Sequence, residues 1–383
     1  MAGCVVVEGA LDGCEFERVL RPPAQAESLP PWCYTSEAFL DRELARVFRP
    51  AWTSLGRVDR VPAPGDYAAL ELAGVPLLLL RDKSGTLRAF ANSCRHRGTK
   101  LLEGSGRCRS VTCPFHGWVY ALDGALVHAP DMERANGFER SDYGLLPVRL
   151  ELRDGFIFVN LDGAAPALDT WLGEFSRLHA PWRLGEMASA RRREFEVACN
   201  WKLFLEVFNE YYHLNAVHPR SIAAIYHEPD EPEELDGEFV TQFGGHDASS
   251  GLLEADRAKA FPALPGLEGH NRNGTRYTWV FPNLTFAASS EVMWAYEVTP
   301  LAPDRTWVGM TCTFPSATGA LDDFAERAAA YFERLDVAIA EDIAVLVRQQ
   351  AGLASPLARP GRFSRLEPNV ARFERWLAER IVP

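Results

Sequence analysis

Two short segments carry side chains whose types and spacing suit metal chemistry. In the first, Cys94-Arg95-His96 is followed, after 16 intervening residues, by Cys113-Pro114-Phe115-His116. Each segment offers one thiolate and one imidazole, so together they supply four donors. A structural zinc module usually pairs Cys with Cys at one end and His with His at the other, and the mixed order departs from it. It suits a centre of two irons and two sulfides, one iron held by the two thiolates and the other by the two imidazoles. Replacing thiolates by neutral imidazoles removes negative charge and raises the reduction potential. Gly98, Gly104, Gly106 and Gly117 free the nearby backbone to approach the sulfides, and Pro114 stiffens the second loop. Cys108 lies outside the paired spacing and reads as a bystander.

The second segment runs from Asn200-Trp201-Lys202 through Glu210, His213 and His218 to Pro219. Glu210 and His213 are three apart and share one face of a helix. His213 and His218 are five apart, about 140° around an ideal helix, so one ion can join them only across a π-bulge or an unwound last turn. Pro219 suits a helix end there. Two histidines need a carboxylate to complete a facial triad that leaves positions open on iron(II). The late helical stretch offers Glu341 and Asp342. Asp342 lies on the apolar stripe of Leu335, Ala338, Ile339, Val345 and Leu346, whereas Glu341 is flanked by Arg334 and Arg348. A carboxylate on a buried stripe costs several kcal/mol unless paired or metal-bound. Asp342 is therefore the expected ligand and Glu341 its solvated neighbour.

The elements that must hold these groups follow from periodicity. Thr35 to Phe48 has helical spacing, with Thr35 or Ser36 as cap. From Trp52 to about Leu161, strand-length runs (Leu77 to Arg81, Leu87 to Ala91, Gly117 to Ala121, Phe156 to Asn160) alternate with turns such as Asp123-Gly124 and Asp154-Gly155, which predicts an all-β domain. Beyond it, a helix is expected from about Trp201 to Ala216, then an acidic, Pro-containing surface loop from His227 to Glu238. Alternating segments over Tyr277 to Phe314 place Val292, Trp294, Tyr296 and Val298 on one sheet face and reverse at Ala302-Pro303-Asp304-Arg305; Asp322 to Gln350 is a long helix. Strand-rich sheet with a long C-terminal helix is an α+β pattern. The expected domains are a lead-in and helix over 1–50, a cluster domain over 51–162 and a second-metal domain over 163–383.

The 383 residues are 47% hydrophobic and 24% charged with a net charge of −12, a soluble globular balance that disfavours capture of nucleic acid or an anionic membrane. The segment Met1 to Leu11 lacks a basic n-region and Val75 to Leu80 is the longest apolar run, so no leader or membrane span is expected, and the chain reads as cytoplasmic with reduced thiols.

Cys94-Arg-His96-Arg and Cys113-Pro-Phe-His116-Gly-Trp118, with the Asn200 segment, the late Glu341-Asp342, Gln350-Ala-Gly-Leu353 and Gly361-Arg-Phe-Ser364, resemble the α (terminal oxygenase) subunits of Rieske non-haem iron oxygenases from about Pro31 onward. The resemblance implies a Rieske [2Fe-2S] domain and a helix-grip (START-like) catalytic domain with an antiparallel sheet. It implies Cys94, His96, Cys113 and His116 on the cluster, His213, His218 and Asp342 on a mononuclear iron, and a homotrimer or its multiple in which Glu210 bridges to a neighbour's cluster histidine. The family usually has Asp at that bridge; Glu210 is shared with the branch acting on carnitine and glycine betaine. No Gly-x-Gly-x-x-Gly follows a strand, and Gly104-Ser-Gly106 is more simply a turn, so a separate flavin- and NAD(P)H-dependent reductase, with or without a ferredoxin, must supply electrons. The expected reaction is hydroxylation or oxidative demethylation of a small organic substrate with O₂, a quaternary ammonium compound first and an aromatic acid as the alternative. Tyr277, Trp279, Phe281, Phe286, Trp294, Tyr296 and Trp307 are candidate pocket aromatics, although for any one of them a place in the core is the stronger expectation, and Arg276 and Arg305 are candidate carboxylate partners or ordinary surface residues. An electron-transfer or redox-sensing module without substrate is the alternative of another class.

Overall fold

A computed structural model describes residues 15–382; the Met1 to Leu11 reading, Cys4 and Cys14 lie outside that range. The first part of the chain forms a seven-stranded sheet and a three-stranded one. Their strands are β1 (Thr53–Arg57), β2 (Asp66–Leu72), β3 (Val75–Arg81), β4 (Leu87–Ala91), β5 (Ser105–Arg107), β6 (Val111–Thr112), β7 (Val119–Tyr120), β8 (Leu126–His128), β9 (Pro147–Arg153) and β10 (Phe156–Asn160). The larger sheet runs β1-β10-β9-β4-β3-β2-β5 and the smaller β6-β7-β8. Hairpin β2–β3 closes through Ala73 and Gly74, both at positive φ, the two-residue turn whose twist matches paired strands. Along β3 the side chains alternate between two cores: Leu77 and Leu79 join the main one, Leu78 and Leu80 a smaller one holding Cys94, Cys113, Trp118 and Tyr120. One strand thus ties the cysteine loops to the rest of the molecule. Gly104 turns the chain, as expected, but Ser105 and Gly106 pair with β2.

The third sheet, also seven-stranded, is antiparallel, built from β11 (Met187–Val197), β12 (Tyr226–Pro229), β13 (Phe239–His246), β14 (Gly274–Val280), β15 (Leu284–Ala288), β16 (Met293–Ala302) and β17 (Arg305–Pro315) in the order β11-β17-β16-β15-β14-β13-β12. Ala302 pairs with Arg305 across the anticipated turn. The α+β architecture is as expected. The chain carries α1 (Glu37–Glu43, capped by Ser36), α2 (Leu168–Leu172), α3 (Phe175–His179), α4 (Trp201–Phe208), α5 (Leu214–Val217), α6 (Phe324–Leu353) and α7 (Pro368–Ile381). No described helix is long and apolar enough to cross a membrane.

Several expectations need correction. The helix expected over 201–216 is two helices, because Asn209 leaves helical geometry with its amide bonded to Leu205 O and its carbonyl to the Thr285 hydroxyl. The acidic segment from His227 begins as edge strand β12 before becoming loop. Strands β11 and β13 and helix α7 were not anticipated. Arg334 is not beside a solvated face: it is 4% exposed, turned inward from α6.

The motif Asn200-Trp-Lys has a packing role. Asn200 caps α4 through Lys202 N and bonds Tyr34 O and Pro303 O, while its own N–H donates to Gln350 Oε1. Lys202 Nζ, fully buried, meets the equally buried Glu43 at 2.7 Å, and Trp201 Nε1 donates to the same carboxylate. These bonds fix α4, and with it the segment that follows, against α1 and α6.

Candidate metal centres and substrate cavity

The cysteine loops are near copies of each other. Cys94 O accepts from Gly98 N and Cys113 O from Gly117 N, and both glycines take positive φ (+74° and +69°), a conformation a side chain would strain. Both cysteines are buried and both histidines exposed, so the sulfurs face inward and the imidazoles outward. His96 Nδ1 and His116 Nδ1 lie 3.2 Å apart, and His96 stacks on Trp118. Burial raises the Cys113 thiol, but the backbone N–H groups of Phe115 and His116, with Cys94 and Thr99, more than offset it, and the net shift is downward. No three donors of this set come within 4.8 Å of one another, as a single ion would require. A sulfur pair at one end and a nitrogen pair at the other instead fit a binuclear cluster. Cys108 is a free thiol outside the set.

Among the described residues one group does converge on a single point: His213, His218 and Asp342 each place a ligand atom within 4.8 Å of the others. The one-turn helix α5 lies between the histidines, with His213 as its N-cap and His218 as its C-cap. The chain leaves helical geometry at His218 (φ −112°, ψ 32°), the unwound last turn that the spacing called for, and a second break precedes His213. Glu210 stabilises it, its carboxylate accepting from the N–H groups of Tyr212 and His213 and from His213 Nδ1.

The hydrogen bonds set the tautomers. His218 Nδ1 donates to Glu341 Oε2 at 2.7 Å, so its Nε2 lone pair points at Asp342 Oδ1, 2.9 Å away. His213 is fixed likewise by Glu210 and turns Nε2 to the same oxygen at 3.7 Å. That oxygen is buried, and with the imidazole Nδ1 atoms donating to Glu341 and Glu210 it has no other donor among the described residues. Three acceptors facing one another call for a cation, and a carboxylate behind each ligating imidazole is the usual orienting device. Burial lowers the His218 pKa, but Asp342 and then Glu341 reverse the sign and raise it, so a proton takes the place between Nε2 and Asp342 when no metal does. Glu341, expected as a solvated bystander, is instead bound to His218 and to Ser221 Oγ at 2.6 Å. Helical periodicity could not show this, because His218 and Ser221 reach α6 from another segment.

A family model described as the ring hydroxylating alpha subunit (catalytic domain) matches residues 184–382, and one for the Rieske [2Fe-2S] domain matches 51–140. The chain belongs to the ring hydroxylating alpha subunit family. Its two matched domains imply a Rieske [2Fe-2S] cluster and a mononuclear iron. The chain is 32% identical over 217 residues to a glycine betaine monooxygenase oxygenase subunit of Chromohalobacter salexigens, covering 56% of this chain and 48% of the relative. It is 38% identical over 192 residues to a biphenyl 2,3-dioxygenase subunit alpha of Rhodococcus jostii, covering 48% and 42%. The chain thus spans about half the length of the curated relatives it matches. A solved quaternary ammonium Rieske monooxygenase superposes with a TM-score of 0.78 at 25% identity, over 94% of this chain and 96% of that one.

Beside the three converging ligand atoms this family member has a small cavity of about 50 Å³ that opens to solvent. Of the candidate aromatics, Tyr277, Trp294 and Tyr296 line it; Trp279, Phe281 and Phe286 are core, and Trp307 lines a different cavity. Neither candidate arginine is available to a ligand there. Arg276 is paired with Glu233 and Arg305 lies at the exposed β16–β17 turn near Glu196. The sequence reading missed Arg334, which does line the cavity.

Proposed function

We propose that this chain is the terminal oxygenase of a Rieske system, hydroxylating or oxidatively demethylating a small organic substrate with O₂. When bound, the cluster supplies single electrons and the mononuclear iron(II) supplies the site where O₂ is reduced. Cys94, Cys113, His96 and His116 would hold the first; His213, His218 and Asp342 the second. The observation that carries the reading is the set of ligand atoms converging on one point, each imidazole backed by a carboxylate, at the wall of a cavity that opens to solvent. In the proposed organisation residues 51–162 form the cluster domain and 163–383 the catalytic domain, with 1–50 packed on the latter.

Electrons are proposed to come from a separate flavin- and NAD(P)H-dependent reductase, with or without a ferredoxin, and to cross between subunits of a homotrimer. The outward-facing imidazoles support this, as does Glu210, whose carboxylate sits on His213 and would meet His116 of the partner subunit. Reduced cysteines at the cluster fit a cytoplasmic setting. Replacing His213 by Ala tests the reading: Rieske absorption should persist while substrate-dependent O₂ uptake disappears, and uptake at the wild-type rate would reject the assignment.

A further inference from the structure

Buried arginines in this chain are otherwise well supplied with acceptors. Arg57 spends its terminal nitrogens on the carbonyls of Asp154, Leu184 and Met187, and Arg276 pairs with Glu233. Arg334 differs. It is 4% exposed, its one hydrogen bond among the described residues is from Nη2 to Tyr226 Oη at 2.9 Å, and the guanidinium carbon lies 4.9 Å from the Trp294 ring centroid; Nε has no partner, as in Arg57 and Arg276, but here neither carbonyls nor a carboxylate take the terminal nitrogens. It forms no ion pair among the described residues, and Tyr226 Oη is already shared with Tyr277 Oη at 2.6 Å. Asp342 lines the same cavity, but its Oδ1 faces the two histidines.

A guanidinium held away from water without a counter-ion is costly, and it recovers that cost when an anion arrives. Because Arg334 lines the cavity that His213, His218 and Asp342 also line, the anion belongs to whatever occupies the cavity. Resting on the oxygenase reading above, we infer that Arg334 is the binding residue for a substrate carboxylate, which anchors one end of the molecule and leaves the carbon to be oxidised toward the three ligand atoms. A betaine and an aromatic acid both carry that group. A simple quaternary ammonium cation does not, and it would bring a second positive charge to a site that already holds one.

Equilibrium binding to the anaerobic, oxidised holoenzyme tests this without electrons or turnover, so its outcome is separate from that of the oxygenase reading, which O₂ uptake reports. Two matched pairs serve as probes, glycine betaine with choline and benzoate with benzyl alcohol, titrated by calorimetry. In at least one pair the carboxylate should bind about 10- to 100-fold tighter, the range for a hydrogen bond to a charged group. Arg334→Gln should shrink that ratio to about 3-fold or less, and Arg334→Lys, which keeps the charge but loses the planar fork, should fall between. Which pair responds tells the betaine from the aromatic acid. Unchanged Rieske absorption and denaturation midpoint show that the variants fold; if the Gln variant does not, the Lys variant carries the test with about a 10-fold loss. Equal binding within both pairs, no measurable binding of either acid, or a preference that survives Arg334→Gln overturns the inference.

Discussion

Glu341 offers a sharp test of how the iron site is organised. Its Oε2 holds His218 Nδ1 at 2.7 Å and Ser221 Oγ at 2.6 Å, opposite the face where His218 Nε2 meets Asp342 Oδ1 at 2.9 Å. Loss of a carboxylate behind a ligating histidine usually costs 10- to 100-fold in metal affinity, about 1.4–2.8 kcal/mol. The Glu341 side chain is 32% exposed, so water screens its charge and the lower end applies. Glu341→Ala should therefore weaken ferrous binding about 10-fold. Glu341→Gln keeps an acceptor for Nδ1–H but loses the charge, and should cost about 3-fold. Anaerobic titration of iron-depleted protein against a competing chelator reads both, with Rieske absorption as a control that the other centre is intact. If Glu341→Ala binds iron as tightly as wild type, the two lone pairs facing Asp342 are not what builds the site.

Other consequences concern the scaffold. Lys202→Met leaves the fully buried Glu43 carboxylate with Trp201 Nε1 as its remaining donor and should lower unfolding free energy by about 3–5 kcal/mol, whereas Lys202→Met with Glu43→Leu should recover most of it; denaturant unfolding distinguishes them. Burial, only partly opposed by Lys202 and by Tyr34 Oη, raises the Glu206 pKa from 4.5 to about 7. The folded state then binds the proton more tightly than the unfolded chain, so stability falls as pH rises from 4.5 through 7. Glu206→Gln should gain on wild type in unfolding free energy from pH 5 to pH 8, and parallel pH profiles would refute this. Cys108→Ser should leave the Rieske spectrum unchanged while Cys113→Ser abolishes it, which absorption spectroscopy checks directly.

The parts of the fold that were legible in the sequence are those written locally. Strands Leu87–Ala91 and Phe156–Asn160, the turn at Pro303-Asp304 and most of α6 follow from period and turn chemistry. Strand β11, with its run Arg191-Arg192-Arg193, lacks apolar alternation because its arginines pair with Asp336 and Glu297, residues distant in the chain. The break at Asn209 was hidden for a like reason, since Thr285 supplies one of the bonds that hold it. At the candidate site, ligand types and spacing showed which side chains to bring together. Glu341 and Arg334 were misread because a single-helix projection assigns them to a polar face, whereas their partners, His218, Ser221, Tyr226 and Trp294, approach α6 from other elements.

Metal and sulfide analysis of anaerobically purified protein bears most directly on the claim that two distinct centres serve one reaction. One [2Fe-2S] cluster and one mononuclear ion require three irons and two acid-labile sulfides per chain, and His213→Ala should reduce the iron to two without loss of sulfide. Two irons and two sulfides in the wild type, unchanged by that substitution, would contradict the account and leave an electron carrier without an oxygenase site.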